Sequence, residues 1–282
     1  MTELRRRMIR AMTVRGLAPR THESYLAAVR RLAAHYRRPP DQLSVEEVQA
    51  HLEHLVADRK LSYSTCSIAA NAFRFFYHVT LGRDRVEFEV PRPKMPQRLP
   101  EILSREEVSR LLEAPPLARH RFLLATAYAA GLRVSEVVAL RFTDVDRDRK
   151  TLRVEQGKGR KDRYLPLSPR WLAQLDAHAS TLPPRSIWIF PNRQRRRPID
   201  ITVAQKIYTM AKLRAGITKH GGIHALRHAF ATHLIESGTD VMTVQRLLGH
   251  RSVSTTMRYF HLSRERLAIV RSPLDELDRP ST

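Results

Sequence analysis

Over the first ninety residues, hydrophobic positions recur at the spacing of helices. In "LRRRMIRAMTVRG", Leu4, Met8, Ile9 and Met12 fall on one face, and Gly16 ends the pattern. "APRTHESYLAAVRRLAAHY" puts Tyr25, Leu26, Val29, Leu32 and Tyr36 on one face and is expected to start at a Thr21 cap, with Ser24 near it. "PPDQLSVEEVQAHLEHLVAD" opens with Ser44 followed by Glu47, the spacing of a capping box. "SYSTCSIAANAFRFFYHVT" predicts a fourth helix with Ile68, Ala69, Phe73, Phe76 and Val79 as its apolar face. Four short helices with short connections predict a compact bundle over residues 1–92.

The pattern then breaks. Prolines at 91, 93, 96 and 100 remove amide donors and block helix continuation, so residues 93–99 are read as an extended linker. Its Arg92, Lys94 and Arg98 suit either a path along a polyanion or plain solvation. A second domain is expected over residues 100–282. Ser104 and Glu107 repeat the capping-box spacing. "ARHRFLLATAYAAGLRVSEVVALRFTDVD" reads as a helix, a break at Gly131 and a second helix. "TLRVEQ" and "RYLPL" are strand-like and flank "GKGRKD", which predicts a β-hairpin. "SPRWLAQLDAHAS" is helical, "SIWIF" reads as a short strand, and residues 201–215, 223–237 and 240–248 read as further helices. Another helix follows the break at Gly249–His250. The expected fold class is therefore mainly α with a small β-sheet.

Charge narrows the partner. The chain carries 50 Lys and Arg against 28 Asp and Glu, a net charge of +22. The excess is +8 in the first 100 residues and +14 in the rest, so it is not confined to one tail. A basic surface of this extent fits a long polyanion, nucleic acid above all. Cys66 is the only cysteine, which excludes an intrachain disulfide framework or a thiolate metal cluster. The N-terminus lacks the apolar core of a secretory signal, and no run of about 18 apolar residues exists. A location in the cytoplasm, at the nucleoid, is expected, with no membrane partner.

Four places could carry chemistry. Arg133 follows the glycine break at the start of an apolar helix, with Glu136 one turn on to hold its guanidinium; a surface ion pair has the same spacing. Lys158 lies between two glycines at the predicted hairpin tip and can reach into a groove; Lys161 competes with it, and a solvated tip is the plain alternative. His224 and Arg227 share a helix face, and His228 follows at a metal-ligand spacing. The glutamate of a zinc-protease pattern is absent and Arg227 would oppose a cation, so His228 is read as a packing residue and no metal is expected. "LLGHRSVSTTMRYFH" holds His250 and Tyr259, and taken alone it suits a helix-turn-helix with Tyr259 in the core. Phosphoryl transfer needs cations for the equatorial oxygens, an acid for the leaving oxygen and a nucleophile. These residues supply all three, and no carboxylates converge to hold Mg²⁺.

"GLRVSEV", "GKGRKDRYLPL", "HALRHAFATHL" and "LLGHRSVSTTMRYFH", in that order, resemble the motifs of the tyrosine recombinases of the phage-integrase superfamily, in the two-domain layout of Xer-type members. The resemblance covers most of residues 101–265, and extends more weakly to "TVRGLAPRTHESYLAAVRRL", which is similar to that family's helical core-binding domain. It implies a SAM-like four-helix core-binding domain before a catalytic domain of the DNA breaking-rejoining fold, closing as a C-shaped clamp on duplex DNA. It implies that Arg133 and Arg227 clamp the scissile phosphate, that His224 and His250 hydrogen-bond it, and that Lys158 is the general acid. Tyr259 would be the nucleophile of a 3′-phosphotyrosine intermediate, with Glu136 in support. Positive Arg and His⁺ groups near Tyr259 would favour its phenolate. The covalent link conserves the phosphodiester energy, so neither ATP nor any cofactor is expected. The implied partner is double-stranded DNA with paired half-sites, bound by a tetramer; free of DNA, a monomer or weak oligomer is expected. The poor helix formers between His250 and Tyr259 suggest a segment able to move the nucleophile. Two alternatives are a non-catalytic helix-turn-helix regulator and a type IB topoisomerase, which shares the chemistry without strand exchange.

Overall fold

A computed structural model describes residues 2–84, 87–90, 101–155, 162–184, 186–250 and 252–262; of Arg258 and residues 260–262 only the backbone is described. The chain divides into two compact units, Met1–Gln97 and Arg98–Thr282, each with its own core. The predicted linker, 93–99, lies outside the described residues.

The first unit packs helices α1 (Glu3–Val14), α2 (Pro19–Tyr36), α3 (Val45–Ala57) and α4 (Tyr63–Arg74). Its core joins Met8, Met12, Leu32, Val48, Leu52 and Phe73, which are nearly fully buried. Ser44 and Glu47 form the reciprocal capping box that their spacing predicts. Two details differ from expectation. Helix α2 starts at Pro19 after an Ala18 cap, so Thr21 lies inside its first turn. Proline at N1 loses nothing there, because its missing N–H would be unpaired in any case. Ile68 is exposed; the buried face of α4 runs through Cys66, Ala69, Ala70, Ala72 and Phe73. Alanines there let α2 approach closely, and a π-helical turn over Phe75–Thr80 then shifts the face to Phe76 and Tyr77.

The second unit contains α5 (Arg105–Glu113), α6 (Ala118–Ala129) and the five-residue α7 (Val134–Val138). A three-stranded antiparallel sheet follows, in the order β1 (Val145–Asp146), β2 (Thr151–Val154), β3 (Arg163–Pro166). The predicted hairpin is the β2–β3 pair, with Leu152 opposite Leu165; its tip, 156–161, lies outside the described residues. Strand β1 stands where a helix was expected through "FTDVD", because a 3₁₀ turn over Phe142–Asp144 redirects the chain. "SIWIF" forms no strand: a single bridge pairs Trp188 with Arg141. Helices α8 (Pro169–Ala179), α9 (Ile201–Arg214), α10 (His224–Glu236), α11 (Val241–Leu248) and α12 (Val253–Leu262) complete the unit. The three helices predicted over residues 201–248 agree with α9, α10 and α11 to within a residue or two at each end. Helix α10 is buried on most sides, with Leu226, Ala229, Ala231 and Ile235 fully enclosed. It packs against α6, α11 and α12, and so holds together the segments that carry the candidate site residues.

Candidate active site

Gly131 sets the first element of the site. Its φ of +54° is a left-handed turn that ends the α6 segment, and a Cβ there would lie 2.3 Å from Cδ1 of Phe230. The turn delivers Arg133 as the N-cap of α7, where Glu136 accepts its backbone N–H at 2.8 Å and its guanidinium Nη1 at 2.8 Å. Arg133 also opens on a cleft of about 360 Å³ lined by Arg141, Arg153, Glu155 and Trp188.

Glu136 is held from a second side. Arg163 of β3 donates Nη2 and Nη1 to its two carboxylate oxygens at 2.7 and 3.0 Å, and donates Nε to the carbonyl of Leu247 at 2.8 Å. Burial alone would raise the Glu136 carboxyl. The hydrogen bonds and charge of Arg163, with those from Arg133, outweigh it and bring its pKa down to about 2. A buried carboxylate between two guanidiniums stays ionised, so it fixes both cations without competing for a phosphate.

Arg227, one turn into α10, is 1% exposed. It donates to the carbonyl of Gly131 at 2.7 Å and to that of Leu248, the last residue of α11, at 2.6 Å. Glu136 lies 3.9 Å away. Burial first, and then Arg133, pull its pKa down to about 10, so it remains a cation at neutral pH. One side chain therefore fastens the α6–α7 turn to the end of α11.

His224 opens α10, at the positive end of the helix dipole. Desolvation of its ring, then Arg227 and Arg133, lower its pKa. His250 follows Gly249, whose φ of +64° caps α11 in the left-handed conformation. Its Nδ1 lies 2.9 Å from Thr256 Oγ1, and burial followed by Arg227, Arg133 and Arg163 brings its pKa down to about 4. The positive His⁺ groups expected around the tyrosine are thus neutral imidazoles here; the fixed positive charge belongs to the arginines.

Tyr259 packs as a core aromatic and also presents its hydroxyl to the candidate site. Its ring packs in a small core with Ala231, Ile235, Val244 and Leu248, leaving it 4% exposed. Its hydroxyl lies 2.8 Å from Nδ1 of His228, and its ring stacks at 6.3 Å on that of His250. It also bears electrostatically on Arg227. Tyr259 is tucked into the fold.

Of the seven residues singled out, six converge: Arg133, Glu136, His224, Arg227, His250 and Tyr259. Lys158 lies outside the described residues. Sequence reasoning missed two residues of this cluster. Arg163 was not singled out, and its only signal was a place on the inward face of an alternating strand. His228 was read as packing, although its position four residues after His224 puts both on one face, with rings 4.5 Å apart. Among the described residues, no group of three or more His, Cys, Asp or Glu is placed to hold a metal ion, and no helix is long and apolar enough to cross a membrane.

The sequence pattern of the Phage integrase family matches residues 101–266, and that of its N-terminal SAM-like domain matches residues 4–87. A putative integrase/recombinase of Sinorhizobium fredii, y4qK, is 43% identical over 282 residues, covering 100% of this chain and 91% of the relative. The tyrosine recombinase XerA of Thermococcus kodakarensis is 36% identical over 263 residues, 91% of this chain and 89% of that one. Among solved structures, a XerA recombinase superposes with a TM-score of 0.56 at 27% identity, covering 99% of both chains. A lambda integrase dimer bound to a core site gives 0.70 at 18% identity, covering 89% of this chain and 95% of that one, a likeness of fold. The chain belongs to the phage integrase family, within the tyrosine recombinase superfamily.

Proposed function

We propose that this protein is a site-specific DNA recombinase that cuts and rejoins strands through a covalent bond between Tyr259 and a 3′-phosphate. The observation that carries the reading is a buried tyrosine whose hydroxyl lies 2.8 Å from His228 Nδ1 and whose ring stacks on His250, in one cluster with Arg227, Arg133 and His224. A structural tyrosine needs none of these cations, and burying them costs free energy that packing alone does not require.

The chemistry follows from the charges. The scissile phosphate meets Arg133 from the α7 cap and Arg227 from α10, which neutralise its non-bridging oxygens as the pentacovalent state forms. His224, at the N-terminus of α10, and His250 donate hydrogen bonds to the same oxygens. Tyr259 attacks phosphorus, and the 5′ oxygen leaves with a proton from Lys158 on the hairpin tip. Because the phosphodiester energy is kept in the phosphotyrosine bond, a 5′ hydroxyl from a second strand can reverse the step without ATP. Strand exchange between two sites requires paired duplexes, and a tetramer on double-stranded DNA is the assembly proposed. Arg227 is enclosed, with its guanidinium on two backbone carbonyls, so a phosphate reaching it must displace part of what covers it. A regulator that only bound DNA would have no use for this cluster.

The test is a Tyr259→Phe variant on a nicked duplex that traps cleavage intermediates. The variant is expected to bind duplex DNA as the parent does and to form no covalent adduct. A trapped adduct in that variant would remove Tyr259 from the role of nucleophile.

A further inference from the structure

An imidazole helps to hold a phosphate only if the nitrogen facing it carries the proton; a nitrogen that faces it with a lone pair repels the same oxygens. His250 is a neutral ring, its pKa brought down to about 4 by burial and then by Arg227, Arg133 and Arg163, so it has a single side-chain N–H to place. Which nitrogen holds that proton is decided by the hydrogen bond that the other one makes. Nδ1 lies 2.9 Å from Oγ1 of Thr256, and Nε2 has no hydrogen-bond partner among the described residues. We propose that Thr256 is a positioning residue: its hydroxyl donates to Nδ1 of His250 and so keeps the imidazole proton on Nε2, the nitrogen that donates to the scissile phosphate. The inference rests on the recombinase reading above and deepens it.

The direction of this bond follows from burial. Thr256 is 0% exposed, and among the described residues its hydroxyl has no hydrogen-bond partner but His250. If Nδ1 carried the proton, the hydroxyl would accept it and its own O–H would be left in the interior with nothing to receive it, which is costly. Donation to Nδ1 satisfies the hydroxyl and the ring together. The residue itself is anchored from α11. Its backbone N–H donates to the carbonyl of Gln245 at 3.2 Å, and Nε2 of Gln245 donates to the carbonyl of His250 at 3.1 Å.

Thr256 and Tyr259 lie three residues apart in α12 and so share a face. That face meets His250 twice, through the hydroxyl of Thr256 and through the Tyr259 ring, which stacks on the imidazole at 6.3 Å and 16°. Docking of α12 therefore presents the proposed nucleophile and sets the histidine proton in one event. Withdrawal of the helix would remove both, leaving His250 free to exchange tautomers. A β-branched threonine is a poor helix former, and this contact gives it a role that helix propensity does not explain.

The test uses the full chain with isotope-labelled histidine, whose imidazole nitrogens report the tautomer by NMR; the His250 signals are those missing from His250→Ala. Wild type and Thr256→Ser are expected to hold the proton on Nε2. Thr256→Val keeps the shape and loses the hydroxyl, and is expected to shift His250 towards the other tautomer. Cleavage is measured on a duplex selected from a random-sequence library by covalent capture on wild-type protein. Thr256→Val should lose about 10-fold or more in rate with duplex binding retained, the scale of losing a partner that orients a functional histidine. Thr256→Ser should stay close to wild type. In a His250→Ala background Thr256→Val should cost nothing further, because no ring is left to orient. A His250 proton on Nδ1 in wild type overturns the proposal, and that measurement stands even if Thr256→Val does not fold. Cleavage at the wild-type rate by Thr256→Val overturns it too, as does an equal loss from that substitution with and without His250, which would mark Thr256 as packing. Failure of wild type to capture any duplex, with Nε2 protonated as expected, would instead overturn the recombinase reading and leave the Thr256–His250 bond standing.

Discussion

Arg163 and Glu136 meet in a two-pronged ion pair, with Nη2–Oε2 at 2.7 Å and Nη1–Oε1 at 3.0 Å, both side chains largely buried. This pair ties β3 to α7, and through the Arg163 bond to Leu247 it also ties the sheet to the end of α11. Glu136 in turn holds Arg133 at the mouth of the cleft.

Removing Arg163 takes two of the hydrogen bonds from the buried Glu136 carboxylate and leaves it to Arg133. Arg163→Met is expected to destabilise the catalytic unit by about 3–5 kcal/mol, read as a drop in the urea midpoint. Arg163→Lys retains the charge but loses the fork, and should fall between the two. Equal stability of Arg163→Met and wild type would show that the pair is not structural.

Acid should dissolve the same pair. The folded-state pKa of Glu136 is about 2, depressed below the ordinary 4.5. Its contribution is therefore fully present above pH ~4.5 and is lost as pH falls towards 2. The difference corresponds to about 3 kcal/mol at neutral pH. A Glu136→Gln variant should show a flatter acid limb in stability against pH than its parent, from a lower starting level.

His51 makes a similar argument for the first unit at milder pH. It is buried, its Nδ1 has no hydrogen-bond partner among the described residues, and burial followed by His35, His54 and Arg31 brings its pKa down to about 4. The folded state resists a proton that the unfolded chain accepts below pH ~6.5, so stability declines between ~6.5 and ~4. His51→Leu should raise the melting temperature at pH 5 relative to wild type by more than at pH 8. No difference between the two pH values would sink the assignment.

Gly131 is predicted to admit no side chain. Ala at φ +54° is strained, and its Cβ would lie 2.3 Å from Phe230, whose movement would disturb the helix that carries His224 and Arg227. Gly131→Ala should cost about 1–3 kcal/mol in stability. It should also slow cleavage by displacing the carbonyl that accepts from Arg227. Unchanged melting and cleavage would show that the turn can relax freely.

Tyr259 packs in a core as well as being the proposed nucleophile, so the choice of variant matters. Tyr259→Ala should lose about 3–5 kcal/mol through the cavity it opens, which confounds any loss of activity with unfolding. Tyr259→Phe keeps the ring and should cost on the order of 1 kcal/mol through the lost hydroxyl bond. Thermal melts of both variants check the contrast.

Local chemistry made much of this protein readable before any coordinates. Ser44–Glu47 and Ser104–Glu107 marked helix starts because a capping box is a contact between near neighbours in the chain. The hairpin and the three helices before Gly249 were legible because their periods, two and 3.6, repeat over several residues. Four motifs in order identified six of the residues that the fold brings together. What the sequence hid is contact between distant segments. Arg163 reaches Glu136 across 27 residues, and His228 reaches Tyr259 across 31. A hairpin arginine looks like a solvated charge until a buried carboxylate appears opposite it, and a histidine one turn past another looks like packing until α12 folds back over α10. The sequence by itself determined most of the elements and the types of residue available for phosphoryl transfer. Only the tertiary structure decided which cations are buried, which imidazoles are neutral and which group touches the tyrosine hydroxyl, because burial and long-range charge arise from the packing of helices far apart in the chain.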